Sequence, residues 1–142
     1  MQPIDPNTLF SIFEQGDEQI YKEHGLHDTL QNPYVLMGMV IRGIENYYLM
    51  DKMYQRQYPK EYNNVRSITK YRYYTKIYSY LARLDTLNFK DIYKIGDSFE
   101  SNDAFQSLDV LRLYFESIEH YEKCAIIVRY QDLLKRGQPQ LI

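Results

Sequence analysis

"DAFQSLDVLRLYFESIEHYEKCAIIVRYQDLLKR", residues 103–136, decides the fold, because it is strongly periodic and holds neither glycine nor proline. Ala104, Leu108, Leu111, Phe115 and Ile118 alternate steps of four and three, the spacing of one face of an α-helix. The stripe continues through Tyr121, Ala125 and Val128, then shifts toward Ile127, Leu133 and Leu134. Unbroken periodicity of this kind predicts one rod of roughly 50 Å at 1.5 Å per residue. Ser101, Asn102 and Asp103 offer caps at its start. Lys135, Arg136 and Gly137 suit its end, with cations against the helix dipole and a permissive residue at the cap.

Within the same stretch, Glu119, Tyr121, Glu122, Lys123, Cys124 and Ala125 follow another pattern. An acidic-aromatic-acidic step leads into a small pair of residues. Residues 108–134 thereby resemble a UVR-type helical hairpin, in which one helix ends just before the acidic step and a second opens at the small pair. The chain departs from that pattern where Val128 and Arg129 replace the usual Arg-Asp pair. The resemblance implies a protein-docking hairpin and no catalysis. One long C-terminal helix and a helical hairpin both stay open.

Working outward, "KYRYYTKIYSY", residues 70–80, belongs to a helix expected from about Glu61 to Leu84. Tyr71, Tyr74, Tyr78 and Leu81, with Ile77 and Leu84, form the expected core stripe. Arg72, Lys76 and Arg83 fall opposite, which leaves Tyr73 and Tyr80 outward. Before it, Leu36, Val40, Ile44 and Tyr47, broadened by Met37, Ile41 and Tyr48, predict a helix from Pro33 to about Tyr58. Apolar residues nearly surround its first half, which predicts deep burial. Pro59 stops it, because proline disfavours helical geometry in the residue before it. Near the N-terminus, Asp5 and Pro6 open an acidic helix carrying Leu9, Phe10, Ile12, Phe13, Ile20 and Tyr21. "HGLHDTLQNP" reads as a loop and residues 86–100 as one short helix stopped at Gly96. No strand-like alternation occurs. The expectation is an all-α fold, a single compact bundle of four to five helices over residues 1–137, with a flexible tail at 138–142.

With 142 residues, 44% hydrophobic and 25% charged, the chain has the composition of one globular domain. A formal net charge of −2 gives no global footprint for nucleic acid. The single cysteine, Cys124, excludes an internal disulfide and a cysteine-based zinc site. The N-terminus lacks a signal-peptide pattern and no apolar run reaches the ~20 residues of a membrane span. Cytoplasm is the expected location, or a virion for a viral chain. Sixteen tyrosines without a tryptophan suit half-wet contact surfaces, since tyrosine joins an apolar body to a polar tip.

Chemistry-bearing motifs are sparse. His24 and His27 have a chelating spacing, but Gly25 interrupts them and no third ligand is specified. His120 lies four residues before Cys124, the spacing of a base beside a nucleophile on one helix face; a small core cysteine is the plainer reading. There is no phosphate-binding glycine loop and no nucleophile elbow. No catalytic residue, metal site or cofactor is expected, and the chain is not expected to be an enzyme.

Charge patterning carries more. Arg56, Lys60, Arg66, Lys70, Arg72, Lys76 and Arg83 stand against Glu61 alone, whereas Asp97, Glu100, Asp103, Asp109, Glu116, Glu119 and Glu122 stand against Arg112. Opposite blocks of this kind can select register between subunits. Arg66, Arg72, Tyr73, Lys76, Tyr80 and Arg83 are the basic interface candidates, and Asp109, Glu116, Glu119 and Glu122 the acidic ones. The expected function is protein–protein interaction, as a structural accessory subunit in a homo-oligomer or larger assembly. By analogy of composition it fits a phage-encoded connector or adaptor in virion assembly. The alternative is a nucleic-acid-binding factor, because cations and aromatics on one helix suit single strands. "QPQLI" at the C-terminus resembles the Gln-led peptides that dock bacterial sliding clamps.

Overall fold

A computed structural model describes residues 31–87 and 103–136. These form four α-helices and no strand: α1 Pro33–Gln57, α2 Pro59–Thr86, α3 Asp103–Ser117 and α4 Tyr121–Arg136. The all-α class holds. The expected N-terminal helix, the His24 and His27 pair, the segment 88–100 and the tail lie outside the described residues.

Local signals set the ends of the first two helices. Asn32, in extended geometry, accepts from the Tyr34 backbone N–H at 2.9 Å through its side chain, and Pro33 takes the first helical position, where a missing N–H costs nothing. At the other end Pro59 pushes Tyr58 out of helical geometry (φ −137°, ψ 58°) and opens α2. One residue therefore separates the two helices. Asp51 meets Arg66, Tyr47 meets Tyr74 and Gly43 meets Ile77, so residue numbers rise along one helix as they fall along the other. The pair is an antiparallel hairpin.

The one-rod reading of residues 103–136 is corrected: the helix breaks at Ile118–His120. Glu119 N–H donates to the Glu116 carbonyl at 3.0 Å and His120 N–H to the Phe115 carbonyl at 2.8 Å, the double bond pattern of a Schellman cap. Glu119 occupies the left-handed position at φ 63°, and the His120 ring stacks on Phe115 at 5.9 Å. Cys124 reaches the Arg112 carbonyl, and Gln131 the Phe105 carbonyl, so α3 and α4 form a second antiparallel hairpin. A side chain in the left-handed region costs about 1 kcal/mol that glycine avoids. Glu119→Gly is therefore expected to raise stability by about 0.5–1 kcal/mol, measured as a higher urea midpoint at unchanged slope.

The core joins both hairpins. Leu36, Met37, Val40, Tyr62, Ile77, Leu81, Leu108, Leu111, Phe115 and Ile127 are fully enclosed, and the first half of α1 is as buried as expected. Between the hairpins, Tyr74 stacks on Tyr114 at 4.5 Å and the Tyr130 hydroxyl donates to Asp85 at 2.6 Å, beside an Arg129–Asp85 ion pair.

Two faces differ from expectation. On α2, Tyr73 and Tyr80 are buried while Tyr71 is 43% exposed. The buried arc is centred on Ile77 and Leu84, roughly a quarter turn from the expected stripe. Six tyrosines spread around α2 blur its polarity, and the aliphatic side chains decide which face docks. On α4 the buried residues are Cys124, Ile127, Tyr130, Gln131 and Leu134, while Tyr121 and Val128 are exposed. The break resets the helical phase. Tyr48 on α1, expected to broaden the core face, is also exposed.

Candidate functional site

A ladder of side chains at steps of four, Tyr62, Arg66, Lys70 and Tyr74, runs along α2 against Tyr47 and Asp51 of α1. Asp51 is buried at the centre. Its carboxylate accepts from Arg66 Nε and Nη2, each at 2.9 Å, from the Tyr62 hydroxyl at 2.7 Å, and weakly from the Tyr47 hydroxyl at 3.4 Å. The fork of the guanidinium matches both carboxylate oxygens. The Gln55 amide, turned with its oxygen toward Arg66, accepts from Nη1 at 2.8 Å.

Burial pushes the Asp51 carboxyl up, and the hydrogen bonds from Arg66, Tyr62 and Tyr47 outweigh it, holding its pKa below the ordinary value. Burial, and then the Asp51 charge, drive the Tyr74 phenol up to about 12. Tyr47 and Tyr62 rise as well, first by burial and then through the charge on Asp51 for Tyr47 and its hydrogen bond for Tyr62. A carboxylate held this way is a poor proton acceptor and these phenols are poor nucleophiles. The network is suited to holding shape.

Beside it opens a cleft of about 670 Å³ between α1, α2 and α3, lined by Ile44, Tyr47, Tyr48, Leu49, Tyr74 and Val110 and by the charged side chains of Glu45, Lys70, Asp51 and Arg66. That volume lies in the range of ligand and peptide pockets. Tyr48 is 56%, Leu49 65% and Val110 41% exposed, so open apolar side chains stand at the rim beside the exposed Glu45. Lys70 Nζ lies 5.6 Å from the Tyr74 ring centre and 5.3 Å from that of Tyr114. Among the described residues it forms no ion pair.

The basic candidates do not form one surface. Arg66 is drawn into the Asp51 pair. Tyr73 and Tyr80 are in the core, a correction to their expected exposure. Arg72 and Lys76 are half-buried on another strip of α2, with Lys76 over the Tyr80 ring at 5.7 Å, and Arg83 is exposed near the end of the helix. The acidic candidates divide too. Asp109 and Glu116 each bind Arg112 of their own helix at 2.8 Å, and the Arg112 and Gln131 hydrogen bonds hold the Asp109 carboxyl below its ordinary pKa. Glu119 and Glu122 are exposed on either side of Tyr121 at the turn.

Cys124 is buried, and burial followed by the Glu116 charge pushes its thiol up, the reverse of what activates a nucleophile. Its Sγ faces the Arg112 carbonyl at 3.7 Å, while the His120 ring packs on Phe115 and Tyr71. Among the described residues no three His, Cys, Asp or Glu side chains gather as a metal site, and no helix is long and apolar enough to cross a membrane.

No protein-family model matches the chain. No curated protein and no solved structure matches it either.

Asp51 was missed in the sequence, although a signal was present. It continues the α1 stripe Val40, Ile44, Tyr47 by one more step of four. A carboxylate at a core-facing position must find a cation, and the neighbouring helix is the one rich in them.

Proposed function

We propose that the chain acts without catalysis, as a protein-interaction or structural accessory subunit that binds other protein through the cleft and its rim. The observation that carries this is the pairing of exposed apolar side chains at the rim, Tyr48, Leu49 and Val110, with a lining locked by the Asp51–Arg66 bridge. Exposed tyrosine and aliphatic side chains around a preorganised cleft are what anchors of a partner need. An assembly subunit of the connector or adaptor kind is the role such a surface suits. Nucleic-acid binding through α2 is the weaker alternative, because burial of Tyr73 and Tyr80 withdraws two of the rings on which bases would stack.

The test is chemical cross-linking of the full chain in an extract of its source, compared with Leu49→Asp. Leu49 is too exposed for the change to unfold the helix. Proteins cross-linked to the native chain, its own copies included, should fall at least about tenfold in the variant. Equal capture by both, or none by either, would sink the reading. A labelled single strand retained at low salt and lost in an Arg72→Glu/Lys76→Glu variant would move the function to nucleic acid.

A further inference from the structure

We propose that the cleft receives the α3–α4 turn of a second copy of this chain, with Tyr121 as the apolar plug and Glu122 meeting Lys70. This rests on the protein-binding reading above and names its partner.

Both halves of the contact are present on one chain. Tyr121 is 63% exposed, and with Leu49 it is among the most exposed large apolar side chains described. Glu119 and Glu122 flank it and form no ion pair among the described residues. The turn is also rigid. Two backbone hydrogen bonds and the stack of His120 on Phe115 fix it, so presenting Tyr121 to a partner costs little ordering entropy. An aromatic anchor flanked by carboxylates is complementary to a tyrosine-walled cleft in the register that sets Glu122 on Lys70 and clear of Glu45, the exposed carboxylate of the same lining. The cleft volume of about 670 Å³ leaves room for the ring and its adjoining backbone.

The placement favours a closed pair. Val110, in the cleft wall, and Ser117, the last residue of α3, are seven residues apart on one helix, which is roughly 10 Å. A turn and a cleft so close on one subunit can be exchanged across a two-fold axis, so that each copy fills the other's cleft and the contact forms twice. Lys70, which unlike Arg66 has no ion-pair partner among the described residues, and the two flanking carboxylates set the register of that exchange.

Sedimentation velocity of the full chain across about 1–200 μM at low salt tests this. The expected mass rises with concentration from one chain to two and stops there. Lys70→Glu and Glu122→Lys should each weaken pairing about tenfold or more, because each sets like charges together at both contacts. A 1:1 mixture of these two variants brings opposite charges together at both contacts again and should pair, although neither variant pairs alone. Tyr121→Ser should weaken pairing without altering the far-ultraviolet dichroism. A monomer at every concentration, or a pair indifferent to these variants and to their mixing, overturns the proposal. A strict monomer that still cross-links other proteins through Leu49 leaves the proposed function standing, whereas a monomer that captures nothing removes both.

Discussion

Asp51→Ala is expected to lower stability by about 2–3 kcal/mol, the largest loss from any single polar side chain described. The carboxylate is the shared acceptor for Arg66, Tyr62 and, weakly, Tyr47. Removing it strands the hydroxyl of Tyr62, which is fully enclosed at 0% exposure, with the desolvation cost of an unpaired buried group. Arg66 moderates the loss, because its side chain is 44% exposed and water can solvate the freed guanidinium. Asp51→Asn keeps the shape and removes the charge, so its cost should be smaller, about 1–2 kcal/mol. The pH dependence separates charge from packing. The folded carboxyl ionises at lower pH than the unfolded one, so its contribution is complete above the unfolded value, about 3.9, and drains away as the pH falls through the folded pKa. Urea midpoints should therefore differ most between wild type and Asp51→Asn at pH 5–7 and converge toward pH 2. Asp109, whose carboxyl is also held low, is present in both proteins and cancels from the comparison. A gap that persists undiminished at pH 2 would mean that packing and not charge holds this site.

What the sequence made legible follows from how local each determinant is. Asn32 and Pro33 at one end and Tyr58 and Pro59 at the other act within a few bonds, so α1 and the start of α2 stand where their signals lie. The facing of α2 is not local. Six tyrosines around that helix can each be core or rim, and Ile77, Leu81 and Leu84 decide the matter only once α1 is packed against them. Weighting every tyrosine as apolar led to Tyr71 and away from Tyr73. The break at Ile118–His120 carries no glycine, because its left-handed residue is Glu119, where glycine is the usual marker; the acidic-aromatic-acidic step beginning at Glu119 is the signal that kept a hairpin open beside the single rod. A trace survived in the phase: continuing 108, 111 and 115 predicts burial near 118, 122 and 125, whereas the core side chains of α4 are Cys124, Ile127 and Leu134. The cleft could not be read from sequence at all, since its walls come from three helices and its tyrosines are indistinguishable in sequence from those of the core.

Gly43→Ala tests what sets the spacing of α1 and α2, and here two effects of opposite sign compete. In a helix interior alanine is favoured over glycine by about 1 kcal/mol, which alone would make the substitution stabilising. Against this, a Cβ at Gly43 would stand 2.7 Å from Ile77 Cγ1 and 3.2 Å from its Cδ1. The first distance is closer than carbon atoms tolerate, and Cγ1 sits near the root of a fully buried side chain, so it cannot swing away cheaply. Overpacking of this kind costs about 1–3 kcal/mol, and forcing the helices apart would also loosen the Tyr47–Tyr74 contact one turn along α1. We expect a net loss of about 2 kcal/mol, with the clash outweighing propensity. A double-mutant cycle isolates the clash. In an Ile77→Ala background, itself destabilised by about 2–5 kcal/mol through its cavity, the offending atoms are gone and Gly43→Ala should become neutral or stabilising by up to about 1 kcal/mol. The coupling between the two sites should thus reach about 2–3 kcal/mol. If Gly43→Ala instead stabilises the otherwise native chain, the helices sit farther apart than the Gly43–Ile77 approach requires, and the Asp51–Arg66 bridge, two turns along α1, would have to span a wider gap than 2.9 Å.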